Sequence, residues 1–200
     1  NALSLSSPSE INAVFPYMRF ARQDRKDESR VSINIKAVAN VISKYADRGM
    51  GMDLHAPQIQ GYFDIPFDDL QSHPVVIKHL KKNHENILEN LVVVSPDAGG
   101  LRRVEAFQKG LVREGIHAEM TGCYKKRKKE NEVGEVRVMG KVKNKDCLII
   151  DDIFDTAETV KETGRVLRDG GAKSVYAYAS NGLFTKGVRD GFDQVNALRA

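Results

Sequence analysis

Cysteines and long apolar runs are scarce in this sequence. Cys123 and Cys147 are the only cysteines among 200 residues, and neither belongs to a CxxC pair or to a cysteine–histidine cluster. A disulfide framework is therefore not expected, and the chain is predicted to work in a reducing compartment.

Membrane and secretion signals are also missing. No apolar run approaches the length that a membrane-spanning helix needs. The N-terminal residues NALSLSSPSE lack the basic and apolar regions of a signal peptide. We therefore expect a cytoplasmic protein without a membrane partner.

The composition is typical of a folded protein with a mixed surface. Hydrophobic residues make up 41% of the chain, which is enough to bury a sizeable core. The 31 basic and 27 acidic residues give a formal net charge of +4. That balance permits anionic partners but does not require a nucleic acid, so the local arrangement of charge matters more.

Short β-rich runs alternate with helical patterns along most of the chain. For example, NLVVVSPD precedes GLRRVEAFQKGLVREG, and CLIIDD precedes TAETVKETGRVLRDGG. This alternation predicts an α/β fold with a parallel sheet. Ser32 is predicted to cap a helix that starts near Ile33, and Gly170 and Gly171 are predicted to end the helix after CLIIDD.

Polar residues follow three of the predicted strands. Asp53 and His55 follow one strand, Asp97 follows another, and Asp151 and Asp152 follow a third. In a doubly wound sheet the ligand lies at the carboxyl ends of the strands. We therefore expect these side chains to converge on one crevice.

The segment CLIIDDIFDTAETV, residues 147–160, carries the strongest signal in the chain. The chain is expected to leave the sheet after Ile150, with Asp151 and Asp152 at the strand end. Carboxylates repel one another unless a cation lies between them, and these two can accept hydrogen bonds from ribose hydroxyls. A sugar phosphate with a metal ion would satisfy both requirements.

Residues 155–159 are predicted to form the turn that opens the next helix. The amide groups of a helix start, together with the hydroxyls of Thr156 and Thr159, can hold a phosphate. The alternative is that Asp155 only caps the helix, but capping explains one aspartate rather than three. The sequence therefore favours a sugar-phosphate site.

Two other candidate sites are less specific. In SPDAGG, residues 95–100, the glycines allow close backbone approach and Asp97 could hold a metal or a hydroxyl. A strand that ends in this way is as often only a tight turn. His55 could ligate a metal or contact phosphate oxygens, although a lone histidine more often has a structural role.

The segment YKKRKKENEV places a run of basic residues between two predicted strands, namely Lys125, Lys126, Arg127, Lys128 and Lys129. Such a run suits nucleic-acid phosphates, nucleotides or plain solvation. Because Tyr124 is the only aromatic residue near it, binding of a nucleic acid is less favoured. A basic hairpin that closes over a transferring phosphoryl group fits better.

Four motifs together resemble the ribose-phosphate pyrophosphokinase family, whose members make phosphoribosyl pyrophosphate (PRPP). In chain order they are MDLHAPQIQG, SPDAGG, KKRKKENEV and DDIFDTAET, and the resemblance extends over residues 14 to 184. Several long motifs in the right order make it specific. The resemblance implies a type I phosphoribosyltransferase-like fold, with a parallel sheet and helices on both faces.

The resemblance also implies which residues bind ATP and metal. Arg22, Gln23 and His55 match the ATP-binding positions, and His55 and Asp97 match the residues associated with Mg²⁺. Lys125 matches the family's catalytic lysine, and Arg127 matches its catalytic partner in the basic loop. The implied ribose 5-phosphate site consists of Asp151, Asp152, Asp155, Thr156, Ala157, Glu158 and Thr159.

The reaction implied is attack by the C1 hydroxyl of ribose 5-phosphate on the β-phosphorus of ATP, which releases AMP. Lys125 and Arg127 would stabilise the charge that develops during the transfer. The partners implied are ATP, ribose 5-phosphate and further copies of the chain, in an oligomer built from dimers such as a hexamer.

Two differences from the family pattern are visible in the sequence. Glu158 replaces a glycine, so we expect restricted φ at this position and a second negative charge near the phosphate. The chain also matches only part of the family's length. Residues 1–60 would be the remnant of an N-terminal domain, and residues 61–200 would be the C-terminal domain with the ribose-phosphate loop.

These differences leave an alternative, a catalytically impaired subunit that regulates active ones. A phosphoribosyltransferase that consumes PRPP is less favoured, because the ATP-type segments ARQD and DLHAPQIQ would then have no task. A nucleic-acid-binding protein is the least favoured interpretation, and salt-sensitive binding to RNA would support it.

Overall fold

A computed structural model describes residues 2–126, 135–185, 192–193 and 195–196 of the chain. The chain forms two compact units, Asn1–Ser72 and His73–Ala200. Helices and strands alternate in each of them, which confirms the α/β class. The division between the units falls after Ser72, and the family domain boundary expected between residues 60 and 61 stays a prediction.

The first unit contains a three-stranded parallel sheet in the order β1-β2-β3. Its elements are α1 (Ala2–Leu5), β1 (Asn12–Phe15), α2 (Asn34–Tyr45), β2 (Arg48–Met52), a 3₁₀ helix (Pro57–Tyr62) and β3 (Phe67–Leu70).

The core of the first unit is built from side chains of this sheet, of α2 and of the 3₁₀ helix. Its members include Ile35 and Ala39 of α2, Ile59 of the 3₁₀ helix and Phe67 of β3. A Cβ atom at Gly49 would lie 2.5 Å from Cδ2 of Phe67, so the ring can approach β2 only because this position is a glycine.

The second unit contains a five-stranded sheet in the order β6-β5-β4-β7-β8. All neighbouring strands are parallel except β5 and β6, which are antiparallel. Its elements are α3 (His73–Asn83), a 3₁₀ helix (Glu85–Ile87), β4 (Leu91–Ser95), α4 (Leu101–Arg113), β5 (Glu119–Lys126), β6 (Glu135–Val138), β7 (Asp146–Phe154), α5 (Glu158–Asp169) and β8 (Ser174–Gly182).

Helices cover both faces of this sheet, as predicted. Along β4, Leu91 and Val93 belong to the core cluster that includes Phe107 of α4. Their neighbours in β4 point to the opposite face and belong to the cluster that includes Leu167 of α5. The strand is buried on both faces, which explains its continuous apolar sequence.

Two local predictions were wrong. The N-cap of α2 is Ile33, and the Ser32 hydroxyl donates to Oδ1 of Asn34 instead of capping the helix. The strand β7 does not end at Ile150 but continues to Phe154, because β8 is equally long and pairs with it as far as Gly182.

Other predictions of element boundaries agree with the structure. The helix α5 ends at Asp169, where Gly170 is the C-cap and Gly171 has φ +82°. Most of the terminal segment FTKGVRDGFDQVNALRA, which the sequence predicts as a short helix, lies outside the described residues. Within the described part of the chain, no helix has the length and apolar character needed to cross a membrane.

Candidate active site

The connection between β7 and α5 has an unusual backbone conformation. Ala157 is the N-cap of α5 and has φ +62° and ψ 6°, in the left-handed region. Its carbonyl accepts the first helical hydrogen bond, from the amide of Lys161, at 2.9 Å. A left-handed conformation costs a non-glycine residue about 1–2 kcal/mol, so the surrounding structure must hold this turn in place.

This turn presents backbone amides at the start of a helix. The first amides of an α-helix have no carbonyl partner within the helix, and they carry the positive end of its dipole. A left-handed residue next to helical ones also forms a concave arrangement of N–H groups that suits anions. Thr156 and Thr159, both exposed, add hydroxyl groups beside these amides.

The less favoured alternative, that Asp155 only caps the helix, does not hold in the structure. Among the described residues no side chain caps α5, and a carboxylate oxygen of Asp155 instead accepts a hydrogen bond from the Thr185 hydroxyl. Thr185 follows β8, and the Leu183 amide donates to the Phe154 carbonyl at 2.8 Å. The segment after β8 therefore packs against the turn and fixes Asp155.

Glu158 does not occupy the position that restricts the backbone. It is the first residue of α5, its side chain is exposed, and the positive φ belongs to Ala157. An acidic side chain in the first turn interacts favourably with the helix dipole. The backbone of Glu158 is helical, so the replacement of glycine by glutamate causes no backbone strain at this position.

Asp151 and Asp152 lie side by side near the end of β7. Oδ1 of Asp151 accepts a hydrogen bond from the backbone amide of Asp152 at 2.9 Å. The pKa of Asp151 is raised to about 7, mainly by burial and then by the hydrogen bond and the charge of the Asp152 carboxylate. The hydrogen bond from the Asp152 amide and the positive charge of Arg103 lower this pKa.

Arg103, a residue that sequence reasoning missed, contacts both of these carboxylates. Its Nη1 lies 3.4 Å from Oδ1 of Asp151, and its Nη2 lies 3.4 Å from Oδ1 of Asp152. Arg103 occupies the first turn of α4, three residues after Gly100. Its position soon after SPDAGG was the available signal, but the contact depends on how α4 packs beside β7.

Asp97 takes part in a tight turn between β4 and α4. Its Oδ1 accepts a hydrogen bond from the Gly100 amide at 2.9 Å, and its carbonyl accepts one from the Ser95 hydroxyl at 2.6 Å. A Cβ atom at Gly100 would lie 2.7 Å from Oγ of Ser95, so this turn requires a glycine. The residue Asp97 is exposed, so its carboxylate can also reach a ligand.

The first unit joins two of the ATP-type motifs. Nε2 of Gln58, in the 3₁₀ helix, donates to Oδ2 of Asp24 at 3.0 Å, and the Tyr62 hydroxyl donates to the Asp24 carbonyl. Asp24, which is buried, thereby holds ARQD against APQIQ. Arg22 is exposed, while the Asn34 side chain donates to Oε1 of Gln23.

His55 lies two residues after Asp53, which has a strained backbone and a side chain held by hydrogen bonds. Asp53 has φ +45°, and its Oδ1 accepts a hydrogen bond from the Ser72 amide at 3.1 Å. The amide of Leu54 donates to Oδ1 of Asp69 at 2.9 Å. Asp53 is thus buried in a structural role, while His55 is exposed beyond it. The convergence of these residues with Asp97, Asp151 and Asp152 on one crevice stays a prediction.

The two predicted catalytic residues belong to the basic segment after β5. Lys125 lies on β5, where its backbone pairs with Val136 of β6. Arg127 lies outside the described residues. The last pair of this antiparallel ladder is Lys126 with Glu135, so the basic segment connects two antiparallel strands, as expected.

Comparison with known proteins gives two family matches. Residues 66–186 match the phosphoribosyl transferase domain, and residues 1–45 match the N-terminal domain of ribose phosphate pyrophosphokinase. The chain belongs to the ribose-phosphate pyrophosphokinase family. The four sequence motifs indicated the same family.

Members of this family are similar to the chain in sequence and in structure. The ribose-phosphate pyrophosphokinase of Porphyromonas gingivalis is 44% identical over 186 residues, which cover 92% of this chain and 57% of the relative. That of Chlorobaculum tepidum is 42% identical, with 92% and 55% covered. The chain therefore spans a little over half the length of these relatives.

A solved structure supports the same assignment. The crystal structure of phosphoribosylpyrophosphate synthetase from Mycobacterium smegmatis superposes with a TM-score of 0.85 at 32% identity, covering 98% of this chain and 62% of that one. The phosphoribosyltransferase-like fold predicted from the sequence is thereby confirmed.

Proposed function

We propose that this chain carries the catalytic machinery of a ribose-phosphate diphosphokinase, which transfers a pyrophosphoryl group from ATP to ribose 5-phosphate. The observation that carries this proposal is the end of β7, where an acidic pair precedes a left-handed turn and the start of α5. The acidic pair suits ribose hydroxyls and the turn suits a phosphate. The names of the similar proteins support the same substrate class.

Ribose 5-phosphate would bind along the connection between β7 and α5. Asp151 and Asp152 would accept hydrogen bonds from the ribose hydroxyls. The amides that follow Ala157 would donate to the phosphate, and so would the Thr156 and Thr159 hydroxyls. Asp155, held by Thr185, would fix the turn, and Glu158 would point to solvent.

ATP would bind with Mg²⁺. Arg22, Gln23 and His55 would contact the nucleotide, and Asp97 together with His55 would hold the ion. Within the described residues no group of three or more His, Cys, Asp or Glu side chains is placed to bind a metal. The exposed carboxylate of Asp97 supplies an oxygen ligand of the kind that Mg²⁺ prefers, and Mg²⁺ commonly binds through one or two carboxylates together with water and substrate phosphates. When bound, Mg²⁺ neutralises charge on the phosphate oxygens.

In the proposed reaction the C1 hydroxyl of ribose 5-phosphate attacks the β-phosphorus of ATP. A bond forms between the C1 oxygen and the β-phosphorus, and the hydroxyl proton is released. The bond from the β-phosphorus to the bridging oxygen of the α-phosphate breaks, so AMP leaves with that oxygen. Lys125 and Arg127 would stabilise the charge on the transferred group, and catalysis would depend on position and charge.

We also propose the setting in which this activity occurs. The family resemblance favours a homo-oligomer built from dimers, a hexamer included, in the cytoplasm. The substrates ATP and ribose 5-phosphate are small anions, which a net charge of +4 accommodates.

The test is AMP formation from ATP and Mg²⁺ with and without ribose 5-phosphate. We expect AMP only when the sugar phosphate is present, and a loss of about 100-fold or more in Lys125→Ala. Lys141→Ala, which removes an exposed lysine, is the matched control and should keep full activity. AMP release that does not depend on the sugar would contradict the proposal, and binding of ribose 5-phosphate without turnover would support the regulatory alternative.

A further inference from the structure

Arg103 is placed to act on two carboxylates at once. Each of its terminal nitrogens faces a different aspartate, Nη1 the Asp151 carboxylate and Nη2 the Asp152 carboxylate, both at 3.4 Å. The planar guanidinium group presents its donors in a fixed geometry, so one arginine can span two neighbouring acids. A lysine would provide the charge without this geometry.

The stability of α4 does not explain an arginine at this position. Arg103 lies in the first turn of α4, where the helix dipole disfavours a cation. Its side chain is only 21% exposed and extends towards β7. The preceding residue, Arg102, is exposed on the same turn and provides a natural comparison. The partners of Arg103 on β7 therefore give the better reason for its presence.

The two carboxylates need such a partner. Asp152 is buried, and the Asp151 side chain is 19% exposed, so both are poorly solvated and close to one another. Among the residues that the structure describes, the charged groups that act on Asp151 are Asp152 on the same strand and Arg103 on α4. Oδ1 of Asp151 also accepts from the Asp152 amide. Arg103 and this amide together fix the orientation of one carboxylate oxygen.

We propose that Arg103, which bridges Asp151 and Asp152, is a positioning residue for ribose 5-phosphate and holds both carboxylates oriented to accept hydrogen bonds from the ribose hydroxyls. This inference rests on the proposed function, because it takes ribose 5-phosphate as the ligand. Arg103 acts through the two aspartates, so its removal weakens the sugar half of the site and leaves the phosphate half intact.

A pH dependence follows from this arrangement. The pKa of Asp151 is raised to about 7 although Arg103 lowers it, so loss of Arg103 moves this pKa higher. Protonation replaces an acceptor with a donor on one oxygen and weakens the contact with the ribose hydroxyls. Binding of ribose 5-phosphate should therefore decline at low pH, and the decline should begin at a higher pH without Arg103.

The experiment measures the dissociation constant of ribose 5-phosphate by calorimetry from about pH 5.5 to about pH 8.5, a range that spans the pKa in question. The proteins compared are the unchanged chain, Arg103→Gln, Arg103→Lys and Arg102→Gln. At pH 7 we expect Arg103→Gln to bind about tenfold more weakly, since charge-assisted hydrogen bonds are weakened. The pH at which binding of ribose 5-phosphate is half lost should be higher for Arg103→Gln than for the unchanged chain.

The controls separate positioning from a general loss of structure. Arg103→Lys should bind with intermediate affinity, and Arg102→Gln should stay within about twofold of the unchanged chain, as exposed charges usually do. Inorganic phosphate, which uses only the turn after Ala157, should bind equally to the unchanged chain and to Arg103→Gln. That equality would also show that the variant is folded.

Four results would overturn the inference. Equal affinity of Arg103→Gln and the unchanged chain would show that Arg103 does not position the acidic pair. Weaker binding with an unchanged pH midpoint, or an equal loss of phosphate binding, would show a structural role only. If the unchanged chain does not bind ribose 5-phosphate at all, the proposed function fails and this inference fails with it.

Discussion

At the scale of single residues, Ala157 has the conformation that most constrains the choice of side chain. It is buried and has φ +62°. A β-branched side chain is strongly disfavoured there, so we expect Ala157→Val to lower the free energy of unfolding by about 1–3 kcal/mol. Urea denaturation measures this change. Ala98→Val, at an exposed position of the same unit, should change it by less than about 0.5 kcal/mol. Equal effects of the two substitutions would contradict a strained turn.

Glu158 provides a second prediction, about binding. Because its side chain is exposed at the start of α5, we expect Glu158→Gly to change the affinity for ribose 5-phosphate by less than about threefold, the range of weak surface electrostatics. The same variant should lose about 1 kcal/mol of stability, since glycine is a poor helix former. Calorimetry measures the first effect and denaturation the second. A large gain in affinity would show that Glu158 disables the site.

The raised pKa of Asp151 has a consequence for stability. The unfolded chain ionises this aspartate at the ordinary pKa, whereas the folded chain keeps its proton up to about pH 7. Between these values the folded state binds more protons, so the contribution of Asp151 to the free energy of unfolding falls as the pH rises, and it is constant above that range. Asp151→Asn should remove this slope in denaturation experiments at a series of pH values. Asp27→Asn, at an exposed aspartate, should keep it.

At the scale of elements, the turn between β4 and α4 requires close backbone approach. We expect Gly100→Ala to destabilise the fold by about 1–3 kcal/mol, because the new methyl group would meet the buried Ser95 hydroxyl. Gly61→Ala is the comparison, since a Cβ atom there meets nothing within 4 Å. It should stabilise the chain by about 0.4–1 kcal/mol. Thermal unfolding of both variants measures these changes. If Gly100→Ala left the stability unchanged, the close contact with Ser95 would be contradicted.

The order and type of these elements could be predicted from the sequence. Apolar runs such as LVVVS and CLIID identify the central strands, and Gly170 with Gly171 identifies the end of α5. The length of β7 could not be predicted, because it depends on pairing with β8. The Ser32 cap failed for a similar reason, since the Ser32 hydroxyl donates to the Asn34 side chain.

The candidate site was predictable where a motif is continuous in the sequence. DDIFDTAET predicts the acidic pair and a turn that suits a phosphate, but it did not predict the left-handed conformation of Ala157. Arg103 and Asp24 were missed, because their partners lie far along the chain, at Asp151 and at Gln58. Such contacts arise from tertiary packing, which no local pattern encodes.

At the scale of the whole molecule, each unit has core clusters built from its own residues. Phe107 is 2% exposed in one core of the second unit, so Phe107→Ala should cost that unit about 3–5 kcal/mol. We expect faster amide hydrogen exchange in β4 and unchanged exchange at Ile35 and Ala39 of the first unit. Val75→Ala, at a residue that is 72% exposed, is the control. Equally faster exchange in both units would contradict independent cores.

The two cysteines have a practical consequence for experiments on this molecule. Both are free and buried, and burial raises the pKa of Cys123 to about 11 and that of Cys147 to about 12. Thiol reagents attack the thiolate, so these two side chains should remain unmodified at neutral pH. A Glu158→Cys variant would add an exposed thiol at the start of α5. A fluorescent or spin label attached there would report directly on whatever enters the turn beside it.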